Sequence, residues 1–571
     1  MMKNMRDSVA LGALALAAFS GAARADDDFR FRHVLLISID GMHELDFINC
    51  ASGSAPTCPN LAALKQTGVN YLDASTSKPS DSFPGLMAIV SGGSPRTVGA
   101  FYDVAYDRVL APPTITTGNG VAGGACVANT PNGTTTEYEE GISIDQSRLD
   151  GGANAGIASI NPKRLPRDPY NNCAPVYPWN FVRTNTIFGV IHQAGGYTSW
   201  FDKHPAYSSV SGPGNGKNLD DFYAPEINSS PVALPVKLPN GTSCSPLPDQ
   251  TALGSDYTNS FQNVQCYDTL KVNAILNQIA GKTHDGSARA PVPNLFGMNF
   301  QAVSVGEKLI EKTTSPTTVG GYADSIGTPS AALQSEIQFV DASIGEMVGA
   351  LKSTGQYAST LLVITAKHGQ SPIDTARYQG IGKPSNSPIT TSPATILDAA
   401  GCLPASESPS TAGGIGPTED DVSQIWLNSK CTTAQAVALL EKASPTSSNI
   451  AGIGQIFSGP ALTQMFNAPG VGGSLDSRTP DIIVSPNVGV TYSGSGKKEA
   501  EHGGFAHDDV NVIMLLANPR LKASTITTPV TTMQVAPTIL AAMGLNPNAL
   551  QSVRLEGTQV LPGFASRSED R

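Results

Sequence analysis

An α/β fold, with a mostly parallel central sheet and helices on both of its faces, is what this sequence predicts. Three observations lead there. The run His33-Val34-Leu35-Leu36-Ile37-Ser38-Ile39 is apolar and β-branched without polar alternation, and it ends in Asp40-Gly41, as a buried parallel strand turning at its tip would. Similar runs, bounded by turn or charge signals, recur at 361–365, 481–484 and 510–516. Between them, 85–91, 184–194, 330–353 and 533–543 carry helix starts or apolar spacing of three and four, and strands alternating with helices argue for a parallel sheet.

Taken in chain order, residues 1–25 read as a signal peptide. Lys3 and Arg6 precede an apolar stretch too short to stay as a membrane anchor, and Ala23-Arg24-Ala25 offers a small-residue cleavage site. The mature chain, 26–571, reads as one domain whose core is interrupted by three stretches rich in Gly, Asn, Ser, Thr and Pro, near 103–182, 204–290 and 376–478. None of the three reads as sheet or helix. Each holds two cysteines, and Cys50 and Cys58 complete a set of eight without C-x-x-C spacing, which suits disulfides in an exported protein, periplasmic or secreted. Sequential pairing, each bridge closing a local loop, is the simplest arrangement. The formal net charge is −11, and the leader removes Lys3, Arg6 and Arg24 against only Asp7, so the mature chain is more acidic still and is a poor partner for nucleic acid. No later stretch is apolar over the length of a membrane span, so no membrane anchor is expected.

Four short segments carry chemistry. Asp40 stands at a strand tip, where α/β sheets place their active groups. In Lys78-Pro79-Ser80-Asp81-Ser82-Phe83-Pro84-Gly85, Ser82 lies at a helix start, among free N–H groups that favour a nucleophilic hydroxyl or a bound oxyanion; a helix-capping serine is the alternative. Lys367-His368-Gly369 ends the third apolar run, and Glu501-His502-Gly503 precedes the last.

In this order the segments resemble the alkaline phosphatase superfamily, and most closely its type I phosphodiesterase/nucleotide pyrophosphatase branch, over roughly 30–102, 185–204, 290–375 and 480–563. The resemblance implies an alkaline phosphatase-like fold. It also implies a two-zinc centre with six protein ligands, of which Asp40, His368 and His502 match, with Ser82 at the nucleophile position. Three positions depart. Gln301 and Val305 fall where a carboxylate and a histidine are expected, and Lys367 replaces the aspartate before His368; none of the three suits zinc. The expectation is therefore at most one divalent ion, zinc by preference, held by Asp40, Ser82, His368 and His502. Gly85 replaces an asparagine that helps bind a phosphoryl oxygen in the resembled family, which leaves the choice between diester and monoester open.

Lys367 has two readings, a fixed ammonium charge facing Ser82 or the substrate, or a neutral base that takes the Ser82 proton. Lys203, His204 and Gln301 are assigned to a small anionic ester substrate. Trp200 and Phe201 read as core packing, Asp508, Asp509 and His507 as turn caps or extra ligands, and Glu307 and Asp341 as solvated or capping residues. The expected function is an exported hydrolase of phosphate esters acting through a covalent intermediate on Ser82, with Lys367 assisting. The rivals are an inactive binding protein on the same fold and a metal-free Ser/Lys ester hydrolase.

Overall fold

In the computed structural model, which describes residues 30–138, 157–312, 316–381, 387–410, 416–443, 450–493 and 496–564, every residue from 34 to 40 is buried. The leader expected at 1–25 lies outside the described residues. The apolar run becomes the middle of an eight-stranded sheet made of β1 (His33–Ile39), β2 (Gly68–Tyr71), β3 (Ser199–Phe201), β4 (Asp221–Tyr223), β5 (Leu295–Phe300), β6 (Thr360–Thr365), β7 (Met514–Ala517) and β8 (Ser524–Ile526). Its spatial order is β8-β2-β7-β6-β1-β5-β3-β4. Neighbours pair in parallel except β7, which runs antiparallel to both β6 and β2.

The pleat of β1 sends Leu35, Ile37 and Ile39 to one face and Val34 and Leu36 to the other. The first face packs on α2 (Phe261–Ile279) and α3 (Ala331–Ser353), the second on α1 (Ser82–Ser91) and α4 (Val535–Ala542). Each fully buried Leu or Ile contributes about 1.5–3 kcal/mol, so apolar contacts on both faces hold the strand tips in place. The long helices start where the sequence caps them: the Ser330 hydroxyl accepts from the Leu333 N–H at 3.1 Å, and Ser260 caps α2 through the Asn263 N–H. Asp341 is buried rather than solvated, and caps the helix Pro59–Lys65 by accepting from the Leu61 N–H at 2.7 Å.

Three expectations change. The run at 481–484 does not join the central sheet. It forms Ile482–Pro486 in a separate antiparallel sheet with Thr418–Glu419, Ser423–Ile425 and Ile453–Ser458. Ile482 and Val484 face Leu397 and Leu440 there, while Ile483 faces Phe101 and Leu462, so a small sheet buried on both sides imitates a core strand in sequence. The stretch 204–290 contains the 19-residue helix α2, hidden from the hydrophobic pattern because Asn263, Gln265, Asp268, Lys271 and Gln278 are buried along with its apolar residues. The stretch 376–478 holds that second sheet with the helices Pro393–Ala399 and Thr433–Lys442. The cysteines pair sequentially, Cys50–Cys58, Cys126–Cys173, Cys244–Cys266 and Cys402–Cys431. Among the described residues no helix is long and apolar enough to cross a membrane.

Candidate active site

Four adjacent parallel strands, β6, β1, β5 and β3, end side by side, and each delivers polar residues to the same edge. β1 delivers Asp40, β6 delivers Lys367 and His368, β5 delivers Asn299 and Gln301, and β3 delivers Asp202 and Lys203. Because β7 runs the other way, the segment leading into it reaches the same edge and brings His502. Gly41, at φ +89°, makes the turn after Asp40, a conformation that L side chains rarely adopt.

Ser82 is the first residue of α1 and is fully buried. The helix cap is Asp81, whose carboxylate accepts from the Phe83 N–H at 3.2 Å and from the Asp103 N–H at 3.1 Å, so the Ser82 hydroxyl is not spent on capping. Its Oγ lies 3.0 Å from Lys203 Nζ, 3.1 Å from His368 Nε2 and 3.4 Å from Asp40 Oδ2. His368 Nδ1 faces the Gly369 carbonyl at 3.0 Å, and the tautomer with its proton on Nδ1 presents the Nε2 lone pair to Ser82. A hydroxyl, an imidazole and a lysine thus meet at one point.

Asp40 Oδ2 is crowded by donors. Gln301 Nε2 donates at 2.7 Å and Asn299 Nδ2 at 3.1 Å, with Lys367 Nζ at 3.7 Å and Lys203 Nζ at 3.9 Å. The other carboxylate oxygen, Oδ1, accepts no hydrogen bond. Burial by itself would raise the Asp40 carboxyl, but Lys367 foremost, then His368 and Lys203, hold it well below the usual carboxylate range. Lys367 Nζ donates to Asp202 Oδ1 at 3.0 Å and stands 4.0 Å over the Tyr207 ring. Asp202 is fixed in turn by the Trp200 indole N–H at 2.8 Å.

Of the remaining expected residues, His502 stacks against His368 with ring centroids 4.1 Å apart, and burial together with nearby cations keeps it well below the ordinary histidine range. His204 is buried against Glu226, Nδ1 to Oε1 at 2.8 Å. Gln301 is engaged by Asp40 instead of facing open space. Gly85 has a structural reason: a Cβ there would lie 2.1 Å from the Lys367 carbonyl oxygen, so α1 packs directly on the backbone that presents Lys367. Asp202, Asn299 and Tyr207 were not singled out from sequence. Asp202 follows a strand of only three residues, too short to announce itself, although its place at a strand tip repeats that of Asp40.

The two-zinc centre of the resembled family does not fit these residues. Val305 is apolar, two ammonium groups border Asp40, and its Oδ2 lone pairs are already given to amide donors. Among the described residues one group of three His or acidic side chains lies close enough to hold a metal ion, and it is His43, Asp46 and Glu307, all within 4.8 Å and all buried. Glu307 is therefore neither solvated nor a cap. In that group His43 Nε2 faces the Gln370 and Asp508 carbonyls at 3.0 and 2.8 Å and the Gln370 N–H at 3.2 Å, and Nδ1 faces Glu307 and Asp46. Despite burial, these carboxylates hold the imidazole well above its ordinary range.

Residues 34–170 match the family model for type I phosphodiesterase/nucleotide pyrophosphatase. Among solved structures, murine ectonucleotide pyrophosphatase/phosphodiesterase 5 is similar, with a TM-score of 0.50 and 13% identity over 90% of this chain and 96% of that one. An inactive variant of the same murine protein, in complex with AMP, gives a TM-score of 0.51, 13% identity and the same two coverages. At this identity the likeness is one of fold. No curated protein sequence matches the chain.

Proposed function

We propose that this protein, which resembles the type I phosphodiesterase/nucleotide pyrophosphatase family of the alkaline phosphatase superfamily, is an exported hydrolase of phosphate esters that works through a covalent Ser82 intermediate. Family and fold support phosphate-ester hydrolysis. The observation that carries the finer reading is the position of Ser82 Oγ between Lys203 Nζ at 3.0 Å and His368 Nε2 at 3.1 Å, at the N-terminus of a ten-residue helix. Four disulfides support export to an oxidising compartment.

In the proposed cycle Ser82 Oγ attacks phosphorus as its proton passes to His368 Nε2, and the bond from phosphorus to the leaving oxygen breaks. His368 gives that proton to the leaving oxygen. A water then attacks phosphorus and loses a proton to His368, which returns it to Ser82 Oγ as the serine–phosphorus bond breaks. Lys367, held by Asp202, and the helix N-terminus face the charge that develops. Nucleotide esters are the first substrates to try, because the similar murine protein is described with AMP bound.

The test is turnover of p-nitrophenyl phosphate and bis-p-nitrophenyl phosphate by the purified protein and by Ser82→Ala, with intact mass measured on quenched reactions to detect a phosphorylated serine. Loss of the nucleophile is expected to lower kcat by about 10⁴-fold or more. Equal rates for variant and parent would overturn the assignment. The full burial of Ser82 favours one second reading, a binding protein on the same fold. Any Ser82-dependent turnover excludes it, and carboxylic p-nitrophenyl esters test the Ser/Lys esterase variant in the same assay.

A further inference from the structure

We infer that the Ser82 centre is a metal-independent oxyanion site in which the ammonium groups of Lys203 and Lys367 take the place of two metal ions, and that Lys203 acts directly on the nucleophile. The inference rests on the Ser82 reading above and extends it to a residue whose place in sequence suggested only substrate contact. Lys203 Nζ is 3.0 Å from Ser82 Oγ, whereas Lys367 Nζ is engaged by Asp202 Oδ1 at 3.0 Å, so the cation touching the nucleophile is Lys203. The two ammonium groups lie 3.9 and 3.7 Å from the same oxygen of Asp40, a carboxylate that a metal centre would use as a ligand.

The other groups agree with two lysines and not with a metal. The side-chain nitrogen of Gln301 lies 2.7 Å from Asp40 Oδ2 and 3.3 Å from the Phe300 carbonyl oxygen, so both of its neighbours are acceptors and the amide can only donate there. Asn299 donates to the same carboxylate oxygen at 3.1 Å. Metal coordination needs lone pairs directed at one point, and this edge of the sheet directs N–H groups instead. Two buried oxygens without a hydrogen-bond partner there, Asp40 Oδ1 and Asn299 Oδ1, gain no convergent set of ligands: among the described residues the group of three close His or acidic ligands includes neither Asp40, His368 nor His502. Tyr207 lies beneath both cations, with its ring centroid 5.9 Å from Lys203 Nζ and 4.0 Å from Lys367 Nζ. A hydroxyl that donates to His368 while accepting from Lys203 becomes an alkoxide next to a fixed positive charge, which is the service a metal ion renders in a metal centre.

The experiment treats the full chain exhaustively with 1,10-phenanthroline and EDTA and follows ester turnover, then orthovanadate binding by thermal shift, for the parent, Lys203→Met and Lys203→Arg. Expected are turnover unchanged by chelation and by added zinc, a fall of about 10²–10³-fold in kcat for Lys203→Met, and partial recovery in Lys203→Arg, which a merely structural role would not give. Turnover lost on chelation and restored by zinc would overturn the inference. So would a Lys203→Met variant as active as the parent. If the parent turns over no ester at all, the hydrolase reading fails by itself, and vanadate decides the site: metal-free binding that Lys203→Met abolishes upholds the two-lysine centre, and no binding without metal refutes it.

Discussion

Lys367→Met removes a cation from the fully buried centre, and its cost follows from the contacts. Lys367 Nζ stands 3.0 Å from Asp202 Oδ1 and 3.7 Å from Asp40 Oδ2, both at zero exposure. At an effective dielectric constant of about 20, each attraction is worth roughly 5 kcal/mol before desolvation is counted. Burying the ions offsets most of that gain, yet the substitution takes a cation from two buried carboxylates, which costs about 3–5 kcal/mol. Asp202 keeps the Trp200 indole N–H and Asp40 keeps its two amide donors, so the chain should still fold, less stably. Denaturant unfolding of parent, Lys367→Met, Asp202→Asn and the double variant at neutral pH forms a double-mutant cycle, with a coupling above about 1 kcal/mol expected. The sign with pH also follows. The depressed Asp40 carboxyl contributes stability that is present above about pH 3.9 and is lost as pH falls through its lower folded value. Without Lys367, the largest of the groups depressing it, that folded value rises, so acid unfolding should begin at higher pH. A loss below about 1 kcal/mol, or strict additivity in the cycle, would refute the picture of Lys367 as the counter-charge of both carboxylates.

Two further variants probe other links in the argument. Gly85→Ala places a Cβ 2.1 Å from the Lys367 carbonyl oxygen, a backbone atom that cannot swing away; stability should fall by about 1–3 kcal/mol with ester turnover falling alongside, and parent-like behaviour in both assays would show that α1 and β6 are not locked together there. Burial pushes the Glu407 carboxyl, which accepts from the Thr135 hydroxyl, up to about 8. A raised carboxyl favours the fold below its unfolded value near 4.3 and loses that contribution as pH rises through the folded value, an effect on the order of 5 kcal/mol at most. Glu407→Gln should therefore flatten the decline of thermal stability on the alkaline side, and an unchanged slope would count against it.

The strand tips and the helix start were legible in sequence because their signals are local. His33–Ile39 is buried on both faces and so reads as a continuous apolar run, Asp40-Gly41 needs a turn that glycine makes, and Phe83-Pro84 opens a helix whatever packs around it. The departures at Gln301, Val305 and Lys367 were equally legible, since a residue type unsuited to zinc is unsuited in any fold. Local patterns failed where burial was set by distant partners. Ile482–Pro486 imitates a core strand because its own small sheet has apolar neighbours on both sides, and α2 hides its helical period because the fold buries polar residues along it. The cap of α1 was a choice between neighbours, and only the contact of Asp81 with the Phe83 and Asp103 N–H groups took it from Ser82.

What the sequence by itself determined is which chemical groups are available: a serine at a helix start, a strand-tip aspartate, two histidines, and a lysine where a zinc ligand would stand. What only the tertiary structure decided is which of them meet. The parallel register of β3 beside β5, and of β5 beside β1, carries Lys203 to 3.0 Å from Ser82 although 121 positions separate them in the chain, and the same register supplies Asp202 as counter-ion to Lys367. A hydrogen bond is decided by tenths of an ångström, and sheet register sets those distances where the order of residues along the chain does not.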